Sequence, residues 1–157
     1  VDKSVTVAGA GVGLTVVQAS ANAGEAGDRV FTIASGTTVT MQDLTIRHGN
    51  VVKSASRGGG MLNYGTLTLE RVNVAANRSK GIDGDPGGTG EGGGIYNDGT
   101  LVIRSSTING NAVLGGEGGQ VGGGARGGGI FNTADATLTM VNSTVSGNLA
   151  QGGTGYG

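Results

Sequence analysis

The chain has 157 residues, 36 of them glycine, with 3% aromatics, no cysteine and a formal net charge of -1. Near-neutral charge without a basic run argues against nucleic-acid binding by phosphate neutralisation. The missing cysteine removes disulfides and thiolate metal sites, and no apolar run approaches the roughly 18 residues of a membrane-spanning segment.

Taken in chain order, the first extended runs are Val5-Thr6-Val7 and Leu14-Thr15-Val16-Val17, a partial unit. A degenerate unit follows from Val30 to Asn50, with runs Val30-Phe31-Thr32-Ile33, Thr38-Val39-Thr40-Met41 and Leu44-Thr45-Ile46. Then a phrase recurs: Gly58-Gly59-Gly60-Met61-Leu62-Asn63, Gly92-Gly93-Gly94-Ile95-Tyr96-Asn97 and Gly127-Gly128-Gly129-Ile130-Phe131-Asn132. The starts at 58, 92 and 127 are 34 and 35 residues apart. A fixed period of this size signals stacked units.

The unit beginning at Gly92 shows the pattern best. Its expected strands are Gly94 to Asn97, Thr100 to Arg104 and Ser106 to Asn109, separated by the turn Asp98-Gly99 and a bend near Ser105. Asn111 closes it, as Asn77 and Asn148 close its neighbours, and the last repeat carries a two-residue insertion around Ala134-Asp135. Alternation within the second strand directs Val39 and Met41, Leu67 and Leu69, Leu101 and Ile103, and Leu138 and Met140 inward. Ile46, Val74, Ile108 and Val145 join them. In the first strand Met61, Ile95 and Ile130 are expected inside, with Leu62, Tyr96 and Phe131 outside. Glycine and β-branched residues are too frequent for helices.

The expected fold is therefore all-β: a right-handed parallel β-helix of four to five rungs, with three short strands per rung and glycine-rich loops on one edge. It forms one domain over 1–157, with rungs near 1–27, 28–57, 58–91, 92–126 and 127–157. The last residues, Gln151 to Gly157, look like another insert leading to a further coil. We therefore expect a piece of a longer solenoid, or a unit that stacks end to end on another copy, because a terminal rung presents unpaired backbone groups.

Several residue sets invite a functional reading. Asn63, Asn97 and Asn132 align, as do Asn77, Asn111 and Asn148; stacked amides at corners make structural ladders. Thr38, Thr40, Thr66, Thr68, Thr100, Thr137 and Thr139 form an outward Thr-x-Thr array interrupted by Val102. Glu70 aligns with Arg104 and Asp43 with Arg71, as cross-rung ion pairs. Asp83 and Asp85 in a glycine-rich turn could donate oxygens to Ca²⁺, although the single copy departs from tandem calcium-binding repeats. No other cofactor is expected. His48, the only histidine, is expected in a surface loop, with no partners for a triad or zinc site. The inserts Arg78 to Glu91 and Ala112 to Arg126, with a third from Leu149, lack the Gly-Lys-Ser/Thr and following helix of a phosphate loop. Stacking gathers them on one edge, where they either recognise something or act as spacers.

The phrase Gly-Gly-Gly-Ile-Tyr-Asn, then Gly-Thr-Leu, Ser-Thr-Ile and Gly-Asn, resembles the coils of bacterial surface β-helix proteins. The likeness is to polymorphic outer membrane proteins and other pectate-lyase-like extracellular repeats, and the opening Asp2 to Gly11 resembles a first coil of such proteins. The resemblance implies an extracellular or outer-surface location and a non-catalytic adhesin or passenger-type scaffold. Its partner would be a polysaccharide or a host or neighbouring-cell surface. A carbohydrate-active enzyme, lyase or glycosidase, is the alternative, although no outward column supplies the two carboxylates a glycosidase needs. Ice binding through the Thr-x-Thr face, as on some β-solenoid antifreeze proteins, is a further one.

Overall fold

The computed structural model describes residues 1–156, so the last expected rung is seen to Tyr156 and Gly157 lies outside the described residues. The partial first rung supplies β1 (Val5–Ala8) and β2 (Val16–Gln18). The second supplies β3 (Phe31–Ile33), β4 (Thr38–Arg47), β5 (Asn50–Lys53) and β6 (Ala55–Arg57). The third gives β7 (Met61–Asn63), β8 (Thr66–Ala75), β9 (Arg78–Gly81) and β10 (Thr89–Glu91). The fourth gives β11 (Ile95–Asn97), β12 (Thr100–Arg104), β13 (Thr107–Asn109), β14 (Ala112–Leu114) and β15 (Ala125–Arg126). The last holds β16 (Ile130–Asn132), β17 (Thr137–Val141), β18 (Thr144–Ser146) and β19 (Leu149–Gln151).

Every named strand pairs in parallel with its counterpart one rung away. The sheets run β1-β4-β8-β12-β17 with β2, β13 and β18 attached, β3-β7-β11-β16, β5-β9-β14-β19, and β6-β10-β15. Five stacked strands in the longest path make a parallel β-solenoid of about four turns. From the second rung on, the three expected strands are present, two of them run together in β4 and β8, and the glycine-rich insert contributes two more in the second, third and fourth rungs and one, β19, in the last. What reads as a loop is a second lobe of the cross-section, with its own two sheets.

The first lobe is filled as the alternation requires. Val39, Met41, Leu67, Leu69, Leu101, Ile103, Ile46, Val74 and Ile108 are all fully buried, and Met61 and Ile95 join the same cluster. Its corners are columns of left-handed backbone. Asp43, Arg71, Ser105 and Asn142 have φ between 47° and 56° at the bend between the two long limbs. A second column is His48, Ala76, Gly110 and Gly147, and a third is Gly58, Gly92 and Gly127, which opens each repeat. The turn at Gly92 needs glycine, because a Cβ there would strike the carbonyl of Ile95.

The second lobe is thin. Its inward residues on one wall are Val51, Ser79 and Val113, and on the other Ser56 and Gly90, all buried. Ser79 donates its hydroxyl to Ser56 Oγ at 2.9 Å, and Ser56 donates to the carbonyl of Val51 at 2.8 Å. A Cβ on Gly90 would sit 2.7 Å from Val113 Cγ2 and 2.8 Å from the Leu114 carbonyl. Beyond these strands the walls touch backbone to backbone. Gly88 N–H donates to Ile82 C=O, Gly116 to Gly88, Gly123 to Gly116 and Gly153 to Gly123, at 2.8 to 2.9 Å. This chain of bonds zigzags between the walls and down the solenoid axis, and side chains on Gly116 or Gly123 would collide with the carbonyls it uses.

At the upper end, the stretch after β2 is tied to the second rung, where the Asp28 carbonyl accepts the Asn50 N–H at 3.0 Å. Asn50 donates its amide to the carbonyls of Gly24 and Ala26, both at 2.9 Å. At the lower end nothing in the described chain covers the last rung. Met140, Val145 and Leu149 are 36%, 46% and 48% exposed, whereas Ile103 and Ile108, the counterparts of Met140 and Val145 one rung up, are fully buried.

Candidate functional site

Both asparagine columns are ladders. Asn63 donates its amide to Asn97 Oδ1 and Asn97 to Asn132 Oδ1, each at 2.7 Å. Asn77 donates to Asn111 Oδ1 and Asn111 to Asn148 Oδ1, each at 3.0 Å. Each upper member also donates to a backbone carbonyl of an adjacent rung, as Asn111 does to Val74. Their burial, complete for Asn63 and Asn97, directs them to holding corners. A related device lacked a sequence signal. Ser106 Oγ accepts the Val72 N–H at 3.0 Å, and Ser143 Oγ accepts the Ser106 N–H at 3.2 Å, although the same column carries Leu44 and Val72 above.

The threonine array is in register. Thr38, Thr66, Thr100 and Thr137 form one column and Thr40, Thr68, Val102 and Thr139 the next. Two residues passed over in the sequence lengthen it: Thr6 pairs with Thr40, and Ser4 Oγ accepts the Thr38 N–H.

In the first strand the expected register holds, but the burial differs. Leu62 and Tyr96 lie outside the core cluster yet are only 6% and 4% exposed. Arg57, from the second lobe, places its guanidinium carbon 5.0 Å from the centre of the Tyr96 ring, and Phe131 stacks on that ring at 5.4 Å. Burial pushes the Tyr96 hydroxyl above its ordinary pKa. His48 sits at a left-handed corner rather than in a free loop, its Nδ1 3.2 Å from the Ser20 carbonyl.

The carboxylates are drawn into ties between rungs. Arg71 donates Nε to Asp43 Oδ1 at 2.7 Å and Nη2 to Oδ2 at 2.9 Å, a two-point grip. It also donates to Glu70, so Glu70 turns along its own strand and makes no ion pair with Arg104. The hydrogen bond from Arg71 holds the Asp43 carboxyl below its usual range, and Asp43 in turn raises the guanidinium. Glu91 bridges Arg57 above and Arg126 below. Asp98 accepts the Thr133 hydroxyl. Glu117 accepts the backbone and hydroxyl of Thr154, which lowers its pKa.

Asp83 and Asp85 take the same role. Asp83 Oδ1 accepts the Glu117 N–H at 2.9 Å and pairs with Lys80 at 3.0 Å. The Glu117 N–H first, then Lys80, lowers its pKa. Asp85 Oδ1 accepts the Gln120 N–H at 3.1 Å. Among the described residues no group of three or more His, Cys, Asp or Glu side chains comes together at metal-binding distance. A cation at Asp83 would compete with Lys80.

One concave feature lies on the outer face of the second lobe, between β9 and β19. Arg78, Lys80, Leu114, Glu117 and Gln151 line it. It was hidden in the sequence because the inserts carry no hydrophobic period.

No family model, no curated protein and no solved structure matches the chain. The geometry itself makes it a parallel β-solenoid repeat protein of about four turns, held by buried asparagine ladders.

Proposed function

We propose that the chain is a non-catalytic β-solenoid scaffold of secreted or cell-surface type, an adhesin or passenger module akin to bacterial surface β-helix coils. Its partner in this reading is a polysaccharide or a neighbouring cell's surface. The supporting observation is the use of its carboxylates. Asp43, Asp83, Asp85, Glu91, Asp98 and Glu117 each bond a residue of an adjacent rung. A glycosidase needs one carboxyl held protonated near a second carboxylate. Asp43 and Glu70 do meet at Arg71, but Arg71 drives Asp43 the opposite way. Incubation with a panel of acidic and neutral polysaccharides tests the reading: release of new reducing ends or unsaturated products would replace the scaffold with an enzyme.

The exposed lower rung, with β16 to β19 as free edges, favours end-to-end association in the same reading. Sedimentation velocity over a concentration series would show it as a growing stack, and a single slow species at all concentrations would remove it.

A second reading, ice binding, is favoured by the register that carries the hydroxyl array from Ser4 and Thr6 through Thr139. Spacings of about 6.7 Å along the strand and 4.8 Å between rungs follow from sheet geometry. Absence of thermal hysteresis at millimolar protein would dispose of it.

A further inference from the structure

We propose that Asn109–Gly110 is a self-modifying corner: Asn109 cyclises onto the Gly110 nitrogen, opens to isoaspartate, and so releases the lowest rung from the asparagine ladder. The inference does not depend on the scaffold reading, since the reaction needs only water.

Sequence and register single out this pair. Asn109 is the only asparagine in the chain followed by glycine. All six ladder asparagines precede residues that carry side chains, and each holds its amide nitrogen in a hydrogen bond. Asn109 stands outside both ladders. It ends β13 on the outer face, in a column with Ala75 and Ser146, while Ile108 turns inward. Its Oδ1 has no hydrogen-bond partner. The fold therefore fastens the amides that hold its corners and leaves this side-chain carbonyl untied.

The nucleophile is free as well. Gly110 is exposed, and among the described residues its N–H donates to no carbonyl. A Cβ there would meet nothing within 4 Å, so the space beside the nitrogen is open. The attacking nitrogen is the side chain's own neighbour, and no outside group has to reach Asn109. The peptide between the two residues is held only through its carbonyl. Ala76 N–H reaches that oxygen at 3.4 Å, the longest backbone bond outside the regular strands, and Asn111 Nδ2 reaches it at 3.1 Å. Glycine's wide conformational range lets the peptide turn toward the side chain.

The step balances with water alone. Base removes the Gly110 amide proton, the nitrogen bonds to Asn109 Cγ, and the Cγ–Nδ2 bond breaks with loss of ammonia. Water then opens the cyclic imide. Cleavage at Cγ gives aspartate and restores the original path. Cleavage of the original peptide bond gives isoaspartate, whose main chain runs through Cβ and Cγ and is one atom longer. That extra atom falls two residues before a ladder member. Asn111 donates both its backbone N–H and Nδ2 to Asn148 Oδ1 at 3.0 Å, and Nδ2 to the Val74 carbonyl at 2.9 Å. Hydrogen bonds weaken steeply with misalignment, so a displaced Asn111 lets go of Asn148 and the corner between β18 and β19.

The experiment ages the full chain in mildly alkaline buffer, folded and in urea, beside Gly110→Ala and fresh Asn109→Asp. Peptide mapping by mass locates the change from amide to acid, isoaspartyl methyltransferase counts the isoaspartate, and circular dichroism follows melting. Alanine fits this corner, because Ala76 occupies the same column with a φ of 53°. We expect the folded parent to convert first at Asn109, mostly to isoaspartate, and to melt lower as it does. Gly110→Ala should age slower by about tenfold or more, a barrier about 1.4 kcal/mol higher. Fresh Asn109→Asp should melt close to the parent. Should Gly110→Ala fail to fold, Asn109→Ser, which copies Ser146, replaces it and should keep its melting temperature on ageing. Conversion confined to the unfolded chain, conversion first at Asn142 or a ladder asparagine, or Gly110→Ala ageing as fast as the parent would each overturn the site. An aged parent that melts like fresh protein, or fresh Asn109→Asp that melts as low as the aged parent, would overturn the release of the rung.

Discussion

The two lobes of the cross-section solve the same problem with opposite materials. In the first, Leu67, Leu69, Leu101, Ile103 and Ile108 keep the walls a side chain's length apart and fill the gap with fully buried apolar groups. Each such side chain contributes about 1.5–3 kcal/mol of transfer free energy. In the second, Val51 and Val113 face inward among Ser56, Ser79 and Gly90, so there is little apolar area to bury, and the walls close until their own peptide groups bond across the seam from Ile82 to Gly153. Abundant glycine is read too quickly as flexibility. Here it permits the closest approach two backbones can make, and the entropy it costs on ordering is offset by hydrogen bonds that a bulkier chain could not form.

Attacking each lobe in its own currency should show the contrast. The largest effect is expected from Leu101→Asp, which places an unpartnered charge in the filled lobe; we expect a loss of several kcal/mol and unfolding of the central rungs, while Thr68→Asp on the outer face melts close to the parent. Equal melts for the two would show that the lobe is not packed as described. Next comes Gly123→Ala. A methyl there meets the carbonyl of Gly88, and a loss of about 2–4 kcal/mol is expected from the broken seam. Gly110→Ala is the matched control, because its Cβ would find nothing within 4 Å and only its φ of 60° is strained. Urea midpoints that coincide for the two alanines would mean that the seam contributes nothing.

A third comparison isolates the ladders. Asn97→Ala strips partners from Asn63 and Asn132 and should cost about 1–3 kcal/mol. Asn109→Ala should be nearly neutral, since its column holds Ala75 and Ser146 and its own Oδ1 has no partner. Ala76→Gly should raise stability by about 0.5–1 kcal/mol, because Ala76 holds a φ of 53° that glycine adopts without strain. A lower melting temperature for Ala76→Gly would contradict the strain.

The smallest effect concerns the carboxylate ties. Asp43, Asp83 and Glu117 have folded pKa values depressed below ordinary values of 3.8, 3.8 and 4.5. A depressed carboxyl stabilises the fold above its unfolded pKa and loses that contribution as pH falls through the folded value. Melting temperature should therefore hold from neutrality to about pH 5 and slip below about pH 4.5. The slip should be blunted in a triple Asp43→Asn, Asp83→Asn, Glu117→Gln variant. The groups are exposed, so the shift is modest and salt-sensitive.

Most of the first lobe was legible in the chain because its signal is periodic. Leu67 and Leu69 alternate with Thr66 and Thr68, and the same phase returns at Leu101 and Leu138, so the register followed directly. The amides at 63, 97 and 132 were legible for the same reason. The second lobe was not, because Ser79, Gly81 and Gly90 face inward and give no hydrophobic period to count. The bend was placed near Ser105, but nothing in Asp43, Arg71, Ser105 or Asn142 announces left-handed backbone as glycine would. Tyr96 was assigned to the outer side, yet its cover comes from Arg57, 39 positions earlier, across a lobe the sequence did not reveal. The groove depends on that same lobe, and so does the meeting of Arg78 with Gln151.

The bonding described above connects each rung only to the one before and the one after. The side-chain hydrogen bonds with the longest reach, Asn97 to Thr137 and Asn148 to Ile108, span 40 residues, little more than one repeat. Held by its two ends and pulled, such a molecule has no reason to fail all at once. It should unzip rung by rung as a staircase, each step freeing a repeat of 34 or 35 residues, about 110–125 Å of contour. A solenoid with that response yields length under load rather than breaking at once.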